Sequence, residues 1–262
     1  MQAHPQVAGV QGNGCLAMAN VCSGSDAAGI ASKQRAADAG GIEVVVAALR
    51  AHPQHADVQQ FGCGTMAIVC VGSDAAGLAR KQRAADAGGI ELAVAALRAH
   101  PQVAGVQGNG CLAMANVCSG SDAASLARKQ RAADAGGIEV VVAALRAHPQ
   151  VADVQEYGCC ALGDVCSGTD AAAFARMQRA ADAGGIELVV AALQAHPQDA
   201  GVQDYGCCAL FNVCVGSDAA ARARRQRAVT AGATEAAVGA MQAHPDAAAV
   251  QREGQRLRDL LA

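Results

Sequence analysis

Tryptophan is absent from the 262 residues, and only five aromatics occur: Phe61, Tyr157, Phe174, Tyr205 and Phe211. Large rings normally supply much of the buried area of a deep globular core. A chain rich in Ala, Val and Gly must instead bury its apolar surface in many thin layers. Long apolar runs are missing too: stretches such as Val44 to Leu49 fall far short of the ~20 residues that a membrane span needs. The net charge is only −3, so the chain as a whole favours neither nucleic acid nor a membrane surface. No leader-like segment is recognisable, and the expectation is a soluble protein of the cytoplasm or nucleus.

Catalytic patterns are also lacking. No glycine loop has phosphate-binding spacing, and no nucleophile, base and orienting acid stand apart from the rest, so a non-catalytic protein without cofactor is expected. What is abundant is cysteine, 12 in all. Cys15, Cys63, Cys111, Cys159 and Cys207 form one series; Cys22, Cys70, Cys118, Cys166 and Cys214 form another. Residues i and i+7 of a helix lie ~10 Å apart, and stacked helix axes ~8–10 Å apart, both long for a disulfide. Buried free thiols in a reducing compartment are expected.

The prolines recur as strictly: Pro5, Pro53, Pro101, Pro149, Pro197 and Pro245 are 48 residues apart, each preceded by histidine. Such self-similarity marks an all-α solenoid in which each repeat covers its neighbour's apolar face. Within one period, Ser25 and Asp26 can cap "AAGIASKQRAADA", which closes at Gly40-Gly41. "GIEVVVAALRAH" follows, with Ile42, Val45, Val46 and Leu49 on one stripe. Pro53 then suits the first turn of a third helix running to about Gly72. The 262 residues divide into an orphan third helix (1–24), repeats 25–72, 73–120, 121–168 and 169–216, and a terminal repeat, 217–262. In this last, "VQREGQRLRDLLA" reads as a polar cap. No such helix covers the N-terminal end.

Five third helices can be compared position by position. Val10, Gln11, Gly14, Cys15, Val21 and Cys22 are identical in every copy, whereas the positions of Gly9, Gly12, Asn13, Leu16, Ala19, Asn20 and Ser23 change. At ~100° per residue the changing set occupies a single arc of roughly 120°, expected to face solvent. Its substitutions include aromatic and acidic residues: Phe61, Tyr157, Tyr205 and Phe211 lie on it, with Asp57, Asp153, Glu156, Asp164 and Asp204, alongside Asn109, Leu112, Gly64, Cys160 and Cys208. No Lys or Arg does, and a surface of that sign favours a basic ligand.

The passage "QRAADAGGIEVVVAAL", together with "AMANVCSGS" and "ALFNVCVGS", resembles the armadillo repeat family over the whole chain. The resemblance implies a right-handed solenoid of three-helix repeats, somewhat longer than the family's usual ~42 residues. It also implies a concave groove lined by third helices that holds an extended peptide or protein segment. In that family an Asn near the end of the third helix bonds the peptide main chain. Asn20, Asn116 and Asn212 match it; Ile68 and Asp164 depart from it. The family's Trp, four residues earlier, is replaced by Leu16, Gly64, Leu112, Cys160 and Cys208.

Other readings are weaker chemistry. The histidine ladder is expected to complement the ends of second helices rather than bind metal, because its members recur ~10 Å apart. "ARKQR" at 79–83 and 127–131 and "ARARRQR" at 221–227 form a basic stripe on the first helices. That stripe reads as a solvated face, with an acidic protein or RNA as its alternative ligand. A spacer that associates head to tail through the uncovered N-terminal end is a further alternative.

Overall fold

The computed structural model describes every residue, Met1–Ala262, and the chain is all-α, with sixteen helices and no strand. The helices gather into two compact units, Met1–Ala135 and Gly136–Ala262. The first holds α1 (Ala8–Cys22), α2 (Ala27–Asp38), α3 (Gly41–Ala51), α4 (Ala56–Val69), α5 (Ala75–Asp86), α6 (Gly89–Ala99), α7 (Ala104–Cys118) and α8 (Ala123–Asp134). The second holds α9 (Gly137–Ala147), α10 (Ala152–Cys166), α11 (Ala171–Asp182), α12 (Gly185–Ala195), α13 (Ala200–Cys214), α14 (Ala219–Thr230), α15 (Ala233–Ala243) and α16 (Ala248–Leu261).

Local chemistry sets the boundaries. Asp26, Asp74, Asp122, Asp170 and Asp218 each accept a backbone N–H three residues on, capping α2, α5, α8, α11 and α14. The next helix starts almost at once, because Gly40 takes the left-handed conformation at φ 81°, as do its counterparts Gly88, Gly136, Gly184 and Gly232. Proline behaves differently from the expectation. The third helix starts at Ala56, not at Pro53, and ends at Val69 rather than Gly72. His55 N–H donates to His52 O at 3.1 Å, so Pro53 sits in a tight turn ahead of the helix.

Within each unit the most extensive packing runs between third helices, α1 on α4 on α7 and α10 on α13 on α16, with a second helix wedged behind each of them except α1. Gly158 permits this closeness: a Cβ there would lie 2.6 Å from Leu145 Cδ2, and Gly206 stands likewise against Leu193. Ile138, Val141, Val142 and Leu145 are buried behind α10. Each such side chain contributes ~1.5–3 kcal/mol.

The invariant glutamine of the third helix is not a surface residue. Gln155 Nε2 donates to Leu145 O and His148 O, both at 2.9 Å, and is 2% exposed. Gln59, Gln107, Gln203 and Gln251 repeat the arrangement. A side-chain amide thereby satisfies the Leu145 carbonyl that the second helix leaves open at its C-terminus, and shares His148 O with the Val151 N–H. The histidines cap the same end, and they do more than face a dipole. His52 Nε2 lies 2.7 Å from Pro5 O, and His196 and His244 reach Pro149 O and Pro197 O at 2.8 and 3.0 Å. A carbonyl only accepts, so Nε2 carries the proton.

The basic stripe of the first helices is only in part a solvated face: Arg222 is exposed, and Arg83, Arg131, Arg179 and Arg227 are partly so. Arg80, Lys81, Arg128, Lys129, Arg176 and Arg224 are all buried. Arg224 donates from Nε to Val213 O at 2.7 Å and from Nη2 to Val215 O at 3.3 Å, closing the C-terminal end of α13. Arg83, Arg131, Arg179 and Arg227 pair instead with Glu43, Glu91, Glu139 and Glu187 on a neighbouring second helix. Arg80, Arg128, Arg176 and Arg224 are used inside the fold because third helices end on carbonyls that need donors.

Candidate functional site

The changing arc of the third helices divides into two parts. One part is interface rather than surface: the positions of Ala19, Ala67, Ala115 and Gly163 are buried between neighbouring third helices. A Cβ on Gly163 would lie 3.3 Å from Ala209 Cα, and a Cβ on Gly64 would lie 3.2 Å from the Asn109 amide. Gly64 and Asn109 are therefore a packing pair, in which one residue makes room for the other. This corrects the expectation that the whole arc faces solvent: the stacking of one third helix on the next buries its edges.

In the first unit, Asn20 and Asp57 are exposed, while Phe61, Ile68, Asn109, Leu112 and Asn116 are half-buried. Asn109 Nδ2 donates to Gln60 O at 3.1 Å and Asn116 Nδ2 to Ala67 O at 3.0 Å. These amides tie third helix to third helix.

The second unit concentrates the remaining residues. Asp153, Glu156, Tyr157 and Asp164 stand on α10, and Asp204, Tyr205, Phe211 and Asn212 on α13. Asp153 and Tyr205 are exposed and the others half-buried. Asp164 and Tyr205 line a cavity of about 80 Å³ with Cys159, Cys160, Gly163 and Cys208. Asn212 Nδ2 lies 3.1 Å from Gly163 O and 3.6 Å from Cys208 Sγ, so it links the cavity's wall to the neighbouring helix. Phe211 is covered by the chain's own cation: the Arg256 guanidinium stacks 4.1 Å from its ring centre.

Electrostatics follow from the crowding. Burial, reinforced by Asp199, Asp153 and Asp204, raises the Glu156 pKa above the ordinary glutamate range. Burial and then Glu253 raise that of Asp204, against a lowering effect of Arg252. The Tyr205 hydroxyl is pushed up to about 12, chiefly by the Cys160 thiolate and then by burial and the carboxylates. Asp199 belongs to this group although it lies one residue ahead of α13, where it also caps Val202 N–H at 3.0 Å. Sequence comparison missed it because it precedes the compared segment.

All 12 cysteines are free thiols, and ten are buried; Cys160 and Cys208 are the two half-buried ones. Burial pushes Cys63, Cys111 and Cys166 up to about 12. A thiol-specific disulfide reagent applied to native protein is therefore expected to modify Cys160 and Cys208 first, and slowly at neutral pH, with the other ten reacting only on unfolding. Early labelling of Cys63 or Cys111, read by peptide mass, would contradict this burial pattern.

The fold and this face define an all-helical, repeat-type protein. No protein-family model and no curated protein matches the chain. No helix is long and apolar enough to cross a membrane.

Proposed function

We propose that the chain is a right-handed, armadillo-like solenoid of 48-residue, three-helix repeats that serves as a non-catalytic binding scaffold in the cytoplasm or nucleus. Its ligand is an extended, basic peptide or protein segment lying across third helices. The single observation that carries this reading is the face of α10 and α13. Two tyrosines stand there amid Asp153, Glu156, Asp164 and Asp204, with no Lys or Arg on either helix. Tyrosine supplies contact area at low side-chain entropy cost, and the carboxylates supply attraction. Many cations of the first helices are buried on carbonyls or paired with glutamates, which favours this face over theirs.

The raised carboxyl pKa values give a test with a definite sign. A folded-state pKa above the unfolded one contributes stability that is complete below the unfolded value and is lost as pH rises through the folded value. Ionised Glu156 and Asp204 are thus disfavoured first by burial and then by neighbouring carboxylates, Asp199, Asp153 and Asp204 for Glu156 and Glu253 for Asp204, and a cationic ligand offsets both. Binding of a lysine-rich peptide at about pH 5 is expected to release protons, seen as buffer-dependent heat in calorimetry. The release should vanish near neutral pH and shrink in Glu156→Gln. Binding at about pH 5 without any buffer dependence would count against the site.

A further inference from the structure

The third helices of the second unit differ in sign. α10 carries Asp153, Glu156 and Asp164 without a cation; α13 carries Asp204 alone; α16 carries Arg252, Arg256 and Arg258 against Glu253 and Asp259. The formal charge therefore rises from −3 through −1 to +1 across three neighbouring helices.

The arginines of α16 sit where α10 and α13 place their ligand-facing acids and thiols. Arg252 stands 48 residues after Asp204, and Arg256 the same distance after Cys208. Their side chains remain 63% and 44% exposed, while the Glu253 between them is only 6% exposed. Arg252 Nε donates to Glu253 Oε1 at 2.7 Å and Arg256 Nη1 to Glu253 Oε2 at 2.6 Å. Each guanidinium has five N–H donors, and Glu253 takes one from each. The buried carboxylate orients the two forks side by side and leaves most of their donors for another acceptor. Arg256 is further fixed by its stack on Phe211.

We infer that this face is polarised: it takes an extended segment whose basic residues lie over α10 and α13 and whose acidic side chains reach Arg252 and Arg256. This inference rests on the peptide-binding reading and adds a charge order to it. Neighbouring helix axes stand ~10 Å apart, so α10 and α16 are separated by ~20 Å. At ~3.3 Å per extended residue, about six residues separate the basic block of the ligand from its acidic one.

Three fluorescent peptides of equal length test it by anisotropy. One has two lysines, a neutral spacer of about four residues and two aspartates; the second reverses the order; the third has asparagines in place of the aspartates. One of the two charged orders is expected to bind the protein about tenfold tighter than the asparagine peptide, the other order not. Replacing Arg252, Glu253 and Arg256 together by Gln avoids stranding a buried charge, and should erase that advantage while leaving the asparagine peptide bound. If the asparagine peptide binds as tightly as both charged orders, and its binding is still weakened by Tyr157→Ala with Tyr205→Ala, the charge order is wrong and the peptide reading stands. If none of the three binds the parent protein, both fall.

Discussion

Gln155→Leu is expected to lower the unfolding free energy of the protein by about 1–3 kcal/mol, a large effect for a single polar substitution. The side chain is almost the same size and already 2% exposed, so the change costs no packing volume. What it removes is the donor to Leu145 O and His148 O, both at the closed end of α9. His148 O keeps the Val151 N–H at 3.1 Å, whereas Leu145 O, four residues ahead of Pro149, is left without a partner, which costs ~1–3 kcal/mol. Gln155→Glu, which offers only acceptors when ionised, should be at least as damaging. By contrast, breaking the exposed Arg179–Glu139 pair should cost less than about 1 kcal/mol. Urea denaturation, with hydrogen exchange at His148 and Val151 to localise the effect, checks both; a Gln155→Leu loss under about 0.5 kcal/mol would mean that water replaces the amide.

Replacing Tyr157 and Tyr205 together by Ala is expected to weaken binding of a basic peptide by about 1–4 kcal/mol, roughly 5- to 700-fold, without loss of helicity. Neither ring anchors a buried core: Tyr205 is 36% exposed and Tyr157 half-buried. The loss therefore belongs to ligand contact rather than to folding. Reversing Asp153 to Lys should act otherwise, slowing association and flattening its salt dependence while changing dissociation little.

Much of the helical layout was legible in the spacing of prolines, glycines and N-capping aspartates, because those residues act on the backbone within a few positions. Asp26 and Gly40 behave as their local chemistry dictates. Pro53 misled, since a proline ahead of a helix and one in its first turn look alike in sequence. Gln11 and its copies were recognisable as fixed, but not as caps, because the acceptors lie outside the glutamine's own helix. The arginines of the first helices misled for the same reason. Arg224 reads as surface charge until the end of α13 is placed beside it. At the candidate site the tyrosines and acids could be picked out one by one, whereas the Gly64–Asn109 packing pair and the Arg256–Phe211 stack join residues 45 positions apart. Only the pairing of helices reveals them.

The central claim, that the α10–α13 face selects basic extended segments, is tested most directly by one screen of the purified protein on an array of random peptides, run beside the Tyr157→Ala, Tyr205→Ala variant. The account predicts that bound sequences are enriched in Lys and Arg, and that the variant loses most of them. Enrichment of acidic or purely apolar peptides, or the same bound set for both proteins, would contradict it.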